Sequence, residues 1–361
     1  MFYRIIYPLK DIFFGFNLFK YITFRSIIAS GCSFFIFVLF YPKFVQYLIK
    51  KGLIETVKRD KCEKLYKYHA HKEGVPTSGG ILIIFSTVIA TLVFGDILNY
   101  YVQIALLAFI SLGVLGYWDD MVKVKNQKKG ISRRIKILIQ SLVGAIVGSC
   151  LYLKAGYSPV LEVPFLKDFI FNIGIIYILF VVLVVVATSN AVNLTDGLDG
   201  LAVGSVITAA IAFAIMAYFA GHFKLSHYLL ISYVEGAGEL TVFLSALVGA
   251  CFGFLWYNAY PADIFMGDSG SMALGGAIAT VAVIIKKELL LLIIGGLFVI
   301  ETISVLIQVL SFKTRGKRVF YFAPIHHHFQ IKGWAEPKII VRFWIVSILF
   351  ALLSLLTLKL R

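Results

Sequence analysis

Ten stretches of this 361-residue chain are long and apolar enough to cross a lipid bilayer. They run at roughly 22–48, 78–98, 101–118, 134–153, 170–189, 200–220, 239–258, 268–285, 289–311 and 339–358. A spanning helix needs about 20 mostly apolar residues, and its backbone hydrogen bonds must close within the segment. Hydrophobic residues make up 60% of the chain and charged residues 15%, against ~45–50% and ~25% in soluble domains. A water-soluble protein, a disordered chain and a secreted disulfide scaffold are thereby excluded. The cysteines, Cys32, Cys62, Cys150 and Cys251, are scattered and read as unpaired thiols. The first twenty residues carry Arg4, Lys10, Asp11 and Lys20 among aromatics. That pattern predicts an interfacial segment over 1–20 rather than a removable signal peptide. The expected architecture is one all-α polytopic membrane domain spanning 1–361.

The net charge of +15 would suggest nucleic acid in a soluble protein. In a membrane protein it speaks first to topology, because Lys and Arg collect in cytoplasmic loops. The connections after helices one, three and nine carry eight, six and six basic residues, and those after helices five and seven carry none. The even-numbered connections hold five in all, and the two tails another five. The odd-numbered connections are therefore expected in the cytoplasm, with both termini outside. Residues 154–168, on the outer side, read as a small hairpin or irregular cap.

The odd connections also hold the polar clusters. Trp118-Asp119-Asp120-Met121-Val122-Lys123 ends helix three. Paired acids there oppose the helix dipole, which points to a divalent cation or a general base beside a phosphate. Lys123 stands where a DDxxD prenyl-diphosphate motif needs its third acid. Asn190 to Gly200 joins helices five and six with Asn190, Asn193, Asp196 and Asp199 in eleven positions. Helix capping accounts for one or two of these, and a ligand- or metal-binding loop accounts for the set.

Between helices seven and eight, Asn258 leads through Phe265 to Gly267-Asp268-Ser269-Gly270-Ser271. Free N–H groups at a helix start suit phosphate, and Asp268 beside them makes sense with a divalent cation between carboxylate and phosphate. Ala323-Pro324-Ile325-His326-His327-His328 precedes Glu336-Pro337-Lys338. Consecutive histidines do not converge on one metal in a regular helix, but they can contact phosphate or carry a proton. A fifth cluster, His69 to Gly80, supplies Lys72, Thr77 and a turn into helix two. Glu301, near the middle of helix nine, is an intramembrane carboxylate and a functional candidate on that ground. Together these residue types support phosphoryl transfer at a membrane surface. No Walker P-loop occurs.

These clusters, in this order, resemble the phospho-N-acetylmuramoyl-pentapeptide transferase family, a branch of the polyprenyl-phosphate N-acetylhexosamine-1-phosphate transferase superfamily. The similarity covers nearly the whole chain. It is strongest at Trp118-Asp119-Asp120, at Asn190 to Gly200, at Met266 to Ser271, and from Ala323 through the three histidines and Glu336-Pro337-Lys338 to Trp344. The triple histidine belongs to the muramoyl-pentapeptide branch. The resemblance implies attack of undecaprenyl phosphate on UDP-N-acetylmuramoyl-pentapeptide, yielding lipid I and UMP at the bacterial inner membrane. It implies Mg²⁺, ten helices with both termini periplasmic, and a homodimer among membrane lipid.

It further implies that Asp268 is the main Mg²⁺ ligand, with Asn190 a second contact. Asp119 and Asp120 match the catalytic acid pair; Asp119 is a candidate base for a one-step attack, and a two-step route through a covalent phospho-aspartate stands beside it. Lys72, Thr77, Asn193, Asp196, Phe265, Gln308 and His327 match positions lining the nucleotide-sugar site. His326, with Lys123 and Lys136, is matched to neutralising diphosphate charge. Asp199, Asn258, Gly267, Ser271 and His328 complete the candidate substrate contacts. Val75 and Ser78 depart from the family's usual Thr and Met, and Met121 from a frequent aromatic. Two alternatives stand beside this reading: a transferase acting on UDP-N-acetylglucosamine, and an ion-coupled transporter motivated by Glu301.

Overall fold

The computed structural model describes residues 5, 7–55, 72–125, 130–166 and 170–358. Cys62, His69 and His71, named above, lie outside them. The chain opens with two short 3-10 helices, Tyr7–Asp11 and Phe14–Lys20. Ile12 and Phe13 between them, and Phe14 at the start of the second, are exposed.

The long helices follow as α1 (Ile22–Lys50), α2 (Gly80–Phe94), α3 (Tyr100–Lys125), α4 (Arg133–Leu153), α5 (Ile176–Thr195) and α6 (Leu201–Ala220). After the short α7 (Phe223–Leu229) come α8 (Leu240–Asn258) and α9 (Gly267–Ile284). The single turn α10 (Leu291–Ile294) leads into α11 (Gly296–Arg315), then the short α12 (Ile325–Ile331) and α13 (Glu336–Leu355). Between α4 and α5, β1 (Val160–Glu162) pairs antiparallel with β2 (Ile170–Asn172); a hairpin forms, but its second strand falls beyond 154–168, at the residues read as the start of helix five. Nine helices among the described residues are long and apolar enough to cross a membrane.

Several boundaries differ from the sequence reading, among them the start of helix five, read at 170 and found at Ile176, and helix nine, read at 289–311 and found as α10 and α11. The second apolar run gives a helix of only 15 residues. Its start is delayed because Ser78 turns through a left-handed φ of 71° and the N–H groups of Gly79 and Gly80 bond to Phe265 and Met266. At its far end Gly95 is already extended. Helix α3 continues to Lys125, so Asp119 and Asp120 lie within its last two turns rather than at its end. Helix α5 continues to Thr195, so Asn190 and Asn193 are helical rather than looped. Polar residues end an apolar run, but they do not end a helix whose backbone bonds are already in place.

Packing centres on α9, buried without a break from Asp268 to Ile284. It lies against α3, α5, α2 and α6. The peripheral helices turn large apolar side chains outward, among them Ile27, Phe35 and Leu39 of α1 and Leu179 and Leu183 of α5. In water such faces would aggregate. In hydrocarbon they cost nothing.

Contacts sort the connections into two sets. Ile54 bridges Pro76, Phe265 N–H bonds Pro76 O, Ile131 N–H bonds Asp119, Ala262 N–H bonds Asp199, and Lys72 reaches Glu336. The five odd connections thus meet at one end of the bundle. At the other end Asn99 bonds Gly236, Glu162 contacts Ser232 and Lys287, and Tyr157 bonds Val283 O. Arg25, near the start of α1, pairs there with Glu239.

Candidate active site

The carboxylates of Asp119, Asp120 and Asp268 converge where the C-terminal part of α3 meets the start of α9. They are buried, and one ligand oxygen from each lies within 4.8 Å of the others. This approach is possible because Gly116 has no side chain: a Cβ there would sit 2.1 Å from the Asp268 carbonyl oxygen. Two ammonium groups compensate the acids. Lys123 Nζ lies 2.8 Å from Asp119 Oδ2 and 2.7 Å from Asp268 Oδ1. Lys136, from α4, lies 2.7 Å from Asp119 Oδ2 and 2.8 Å from Asp268 Oδ2. With all five ionised, the cluster carries one net negative charge.

The three acids are held differently. Asp119 Oδ1 accepts the Ile131 N–H at 2.7 Å, while its Oδ2 meets the two lysines. Asp268 likewise faces both lysines. Asp120 instead spends its oxygens on the protein: Oδ1 accepts Asp268 N–H (3.1 Å), and Oδ2 accepts Ser269 N–H (3.2 Å) and the Ser78 hydroxyl (2.8 Å). Buried hard-oxygen donors with residual negative charge suit a cation such as Mg²⁺. The side chain of Lys123 is 37% exposed against 17% for Lys136, so Lys123 is the more accessible of the two ammonium groups.

A second network adjoins the first. Lys72 Nζ sits 2.6 Å from Asp199 and 2.7 Å from Glu336, beneath the Phe265 ring at 5.9 Å. Glu336 Oε1 also accepts the Asp199 N–H, and its Oε2 accepts Gln330, whose own carbonyl meets His327 Nδ1 at 2.8 Å. His326 is fully buried, with Nδ1 3.1 Å from Glu301 and Nε2 against Gly197. Burial, then the Lys72 charge, pushes His326 down to about 3. Burial, then His326, does the same to His327. Both rings are neutral near pH 7.

Asp196 stands between the networks. Burial, reinforced by the charges of Asp268, Asp120 and Asp199 and opposed by Lys72, pushes its carboxyl up to about 7.

Other candidates hold the frame. Asn258 accepts the Gly200 N–H and donates to Ile264 O, fixing the start of α6. Ser271 bonds Asn193 at 2.8 Å and the Gly267 carbonyl. Thr77 N–H bonds Leu53 O. Asn190 donates its amide to Gln140 and Val186 O, and no hydrogen bond among the described residues ties it to the acids. Gln308 accepts from the N–H groups of Val319 and Phe320, and His328 from Tyr321. Both side chains hold the loop after α11. Glu336 and Gln330 were not singled out as site residues in the sequence. The only signal for Glu336 was its place beside Pro337 and Lys338, downstream of the histidines.

A helical bundle that exposes its apolar faces and gathers acids, ammonium groups and histidines at one end is a multi-pass membrane transferase of the glycosyl transferase family 4 class, whose family model matches residues 102–286. Phospho-N-acetylmuramoyl-pentapeptide-transferases from Thermodesulfovibrio yellowstonii, Desulfotalea psychrophila and Citrifermentans bemidjiense are 48%, 47% and 49% identical to this chain, each alignment covering 100% of both sequences. The chain belongs to the phospho-N-acetylmuramoyl-pentapeptide-transferase family.

Proposed function

We propose that this chain transfers phospho-N-acetylmuramoyl-pentapeptide from UDP to undecaprenyl phosphate, giving lipid I and UMP for peptidoglycan synthesis. Full-length identity to transferases of that name is the observation that carries the reading. An oxygen of the lipid phosphate attacks the sugar-bearing phosphorus. The bond from that phosphorus to the bridging oxygen breaks, and UMP leaves with the electron pair. One phosphoanhydride replaces another, so the reaction is reversible.

Asp119 and Asp268 are the groups that would hold Mg²⁺, since Asp119 Oδ2 and the Asp268 oxygens face one another and are held here by the flexible side chains of the two lysines. A cation held there would supply positive charge to the diphosphate. Asp119 is also placed to take a proton from the lipid phosphate. Lys123 and Lys136 exchange carboxylate partners for phosphate oxygens as substrate arrives. Lys72 and the Phe265 ring form a wall for the nucleotide, and neutral His326 and His327 offer hydrogen bonds without adding charge. Catalysis rests on positioning and charge neutralisation.

The convergence of the five odd connections, joined to the excess of Lys and Arg in them, supports a cytoplasmic site with both termini periplasmic in the bacterial inner membrane. Acids gathered at one end, rather than at the midplane, speak against a transporter. The purified chain with both substrates should form lipid I when Mg²⁺ is present and stop when EDTA removes it. Robust turnover in EDTA would reject the metal role. A preference for UDP-N-acetylglucosamine would reject the substrate.

A further inference from the structure

Asp120 is the acid least free to meet a ligand, and its environment assigns a part to a residue that the proposed reaction leaves unused. Its carboxylate, on α3, accepts the first N–H groups of α9, from Asp268 and Ser269. These donors have no intrahelical partner, so Asp120 is an N-cap supplied by another helix. The third donor is the Ser78 hydroxyl at 2.8 Å. Ser78 is fully buried and has a φ of 71°, a left-handed conformation that strains a residue with a side chain. Its neighbours Gly79 and Gly80 bond to the carbonyls of Phe265 and Met266, just ahead of α9. A Cβ at Gly267 would lie 2.6 Å from Asp120 Oδ2 and 3.0 Å from Ser78 Cα. Three segments thus meet at one carboxylate oxygen.

We propose that Ser78 is a positioning residue: its hydroxyl locks the Asp120 carboxylate as the cap of α9, and so sets the direction in which Asp268 presents its own carboxylate. Glycine would suit the backbone at position 78 better, but it carries no hydroxyl. The strain and the hydrogen bond therefore pull in opposite directions, and substitution separates them. The inference rests on the reading that Asp268 holds a divalent cation.

The test compares Ser78→Gly and Ser78→Ala with the unsubstituted full-length protein in detergent. Three quantities are read: Mn²⁺ affinity by electron paramagnetic resonance, the thermal unfolding midpoint, and kcat and KM for the nucleotide sugar. Both variants should bind Mn²⁺ more weakly by on the order of tenfold, the worth of one hydrogen bond to a charged group. Their kcat should fall in parallel with KM little changed. Ser78→Gly should show this loss while unfolding at or above the temperature of the unsubstituted protein, a combination that a merely structural serine would not give. Mn²⁺ affinity and kcat within twofold of the unsubstituted protein in Ser78→Gly would overturn the proposal. Failure of the unsubstituted protein to bind Mn²⁺ would overturn the metal reading and the proposal with it.

Discussion

Two glycines one turn apart on α3 give a sharp test of how closely α3 and α9 must approach. At Gly116 an added Cβ would lie 2.1 Å from the Asp268 carbonyl oxygen, 2.4 Å from its carbon and 2.6 Å from Ser269 Cα. All three are backbone atoms at the start of α9. Ordinary contact begins near 3.4 Å, so Gly116→Ala must drive the two helices apart by about 1 Å, at a cost of roughly 1–3 kcal/mol in packing. The displacement falls on the pair of elements that carries Asp119 and Asp268. A misplacement of 1 Å at reacting groups costs on the order of 10²-fold in rate. At Gly113 the added Cβ would crowd the tip of the Ile84 side chain, at 2.3 Å, which can turn away, and would touch Ala273 Cβ of α9 at an ordinary 3.5 Å. Gly113→Ala should therefore keep its kcat within a few-fold of the unsubstituted protein, while Gly116→Ala loses about two orders of magnitude in kcat. Initial rates of lipid I formation by detergent-purified variants, checked for monodispersity by size exclusion, measure both. A Gly116→Ala protein as fast as Gly113→Ala would refute the claim that α3 and α9 fix the acid geometry.

Asp268→Ala should abolish transfer while the protein still folds, as read by rates and circular dichroism, because α9 keeps its cap from Asp120. Glu336→Ala removes one of two carboxylates from buried Lys72 and orphans the Asp199 N–H; its unfolding midpoint should drop, by a loss of about 2–4 kcal/mol, and its KM for the nucleotide sugar should rise. Glu336→Gln keeps the acceptor geometry and should recover most of both. Asp196 has a folded pKa raised to about 7, above the ordinary value near 3.9. The folded state therefore holds that proton more tightly, and stability falls as pH rises between these values. Asp196→Asn should raise the unfolding midpoint at pH 8 relative to the unsubstituted protein and leave it nearly unchanged at pH 4.

The bundle itself was legible in the sequence because lipid demands long apolar runs. The first strand of the hairpin, Val160–Glu162, lies in the stretch read as a hairpin or cap, whereas Ile170–Asn172 reads as helix in the sequence because its apolar residues run on into α5. What failed was reading helix ends from polarity. Asn190 and Asn193 interrupt the apolar run, yet they sit on the inner side of α5, where Gln140 and Ser271 supply partners. The bond between Lys72 and Glu336 joins residues 264 positions apart, and no local pattern announces it. The same holds for the hold of Asp120 on α9. In the sequence Asp119 and Asp120 are equivalent neighbours. Only the helix crossing at Gly116 turns one toward two lysines and the other toward backbone donors. Gln308 and His328 stand among site residues in the chain, and the fold gives both to the loop after α11.

The central claim is that Asp119 and Asp268 grip one divalent cation against the substrate diphosphate. Pulsed electron paramagnetic resonance of Mn²⁺-loaded protein, with the nucleotide sugar bound, reads this directly through ³¹P hyperfine coupling. The account predicts a protein-bound ion coupled to phosphorus, with the signal lost in Asp268→Ala. A phosphorus coupling that survives Asp268→Ala, or an ion that stays fully hydrated beside the unsubstituted protein, would contradict it.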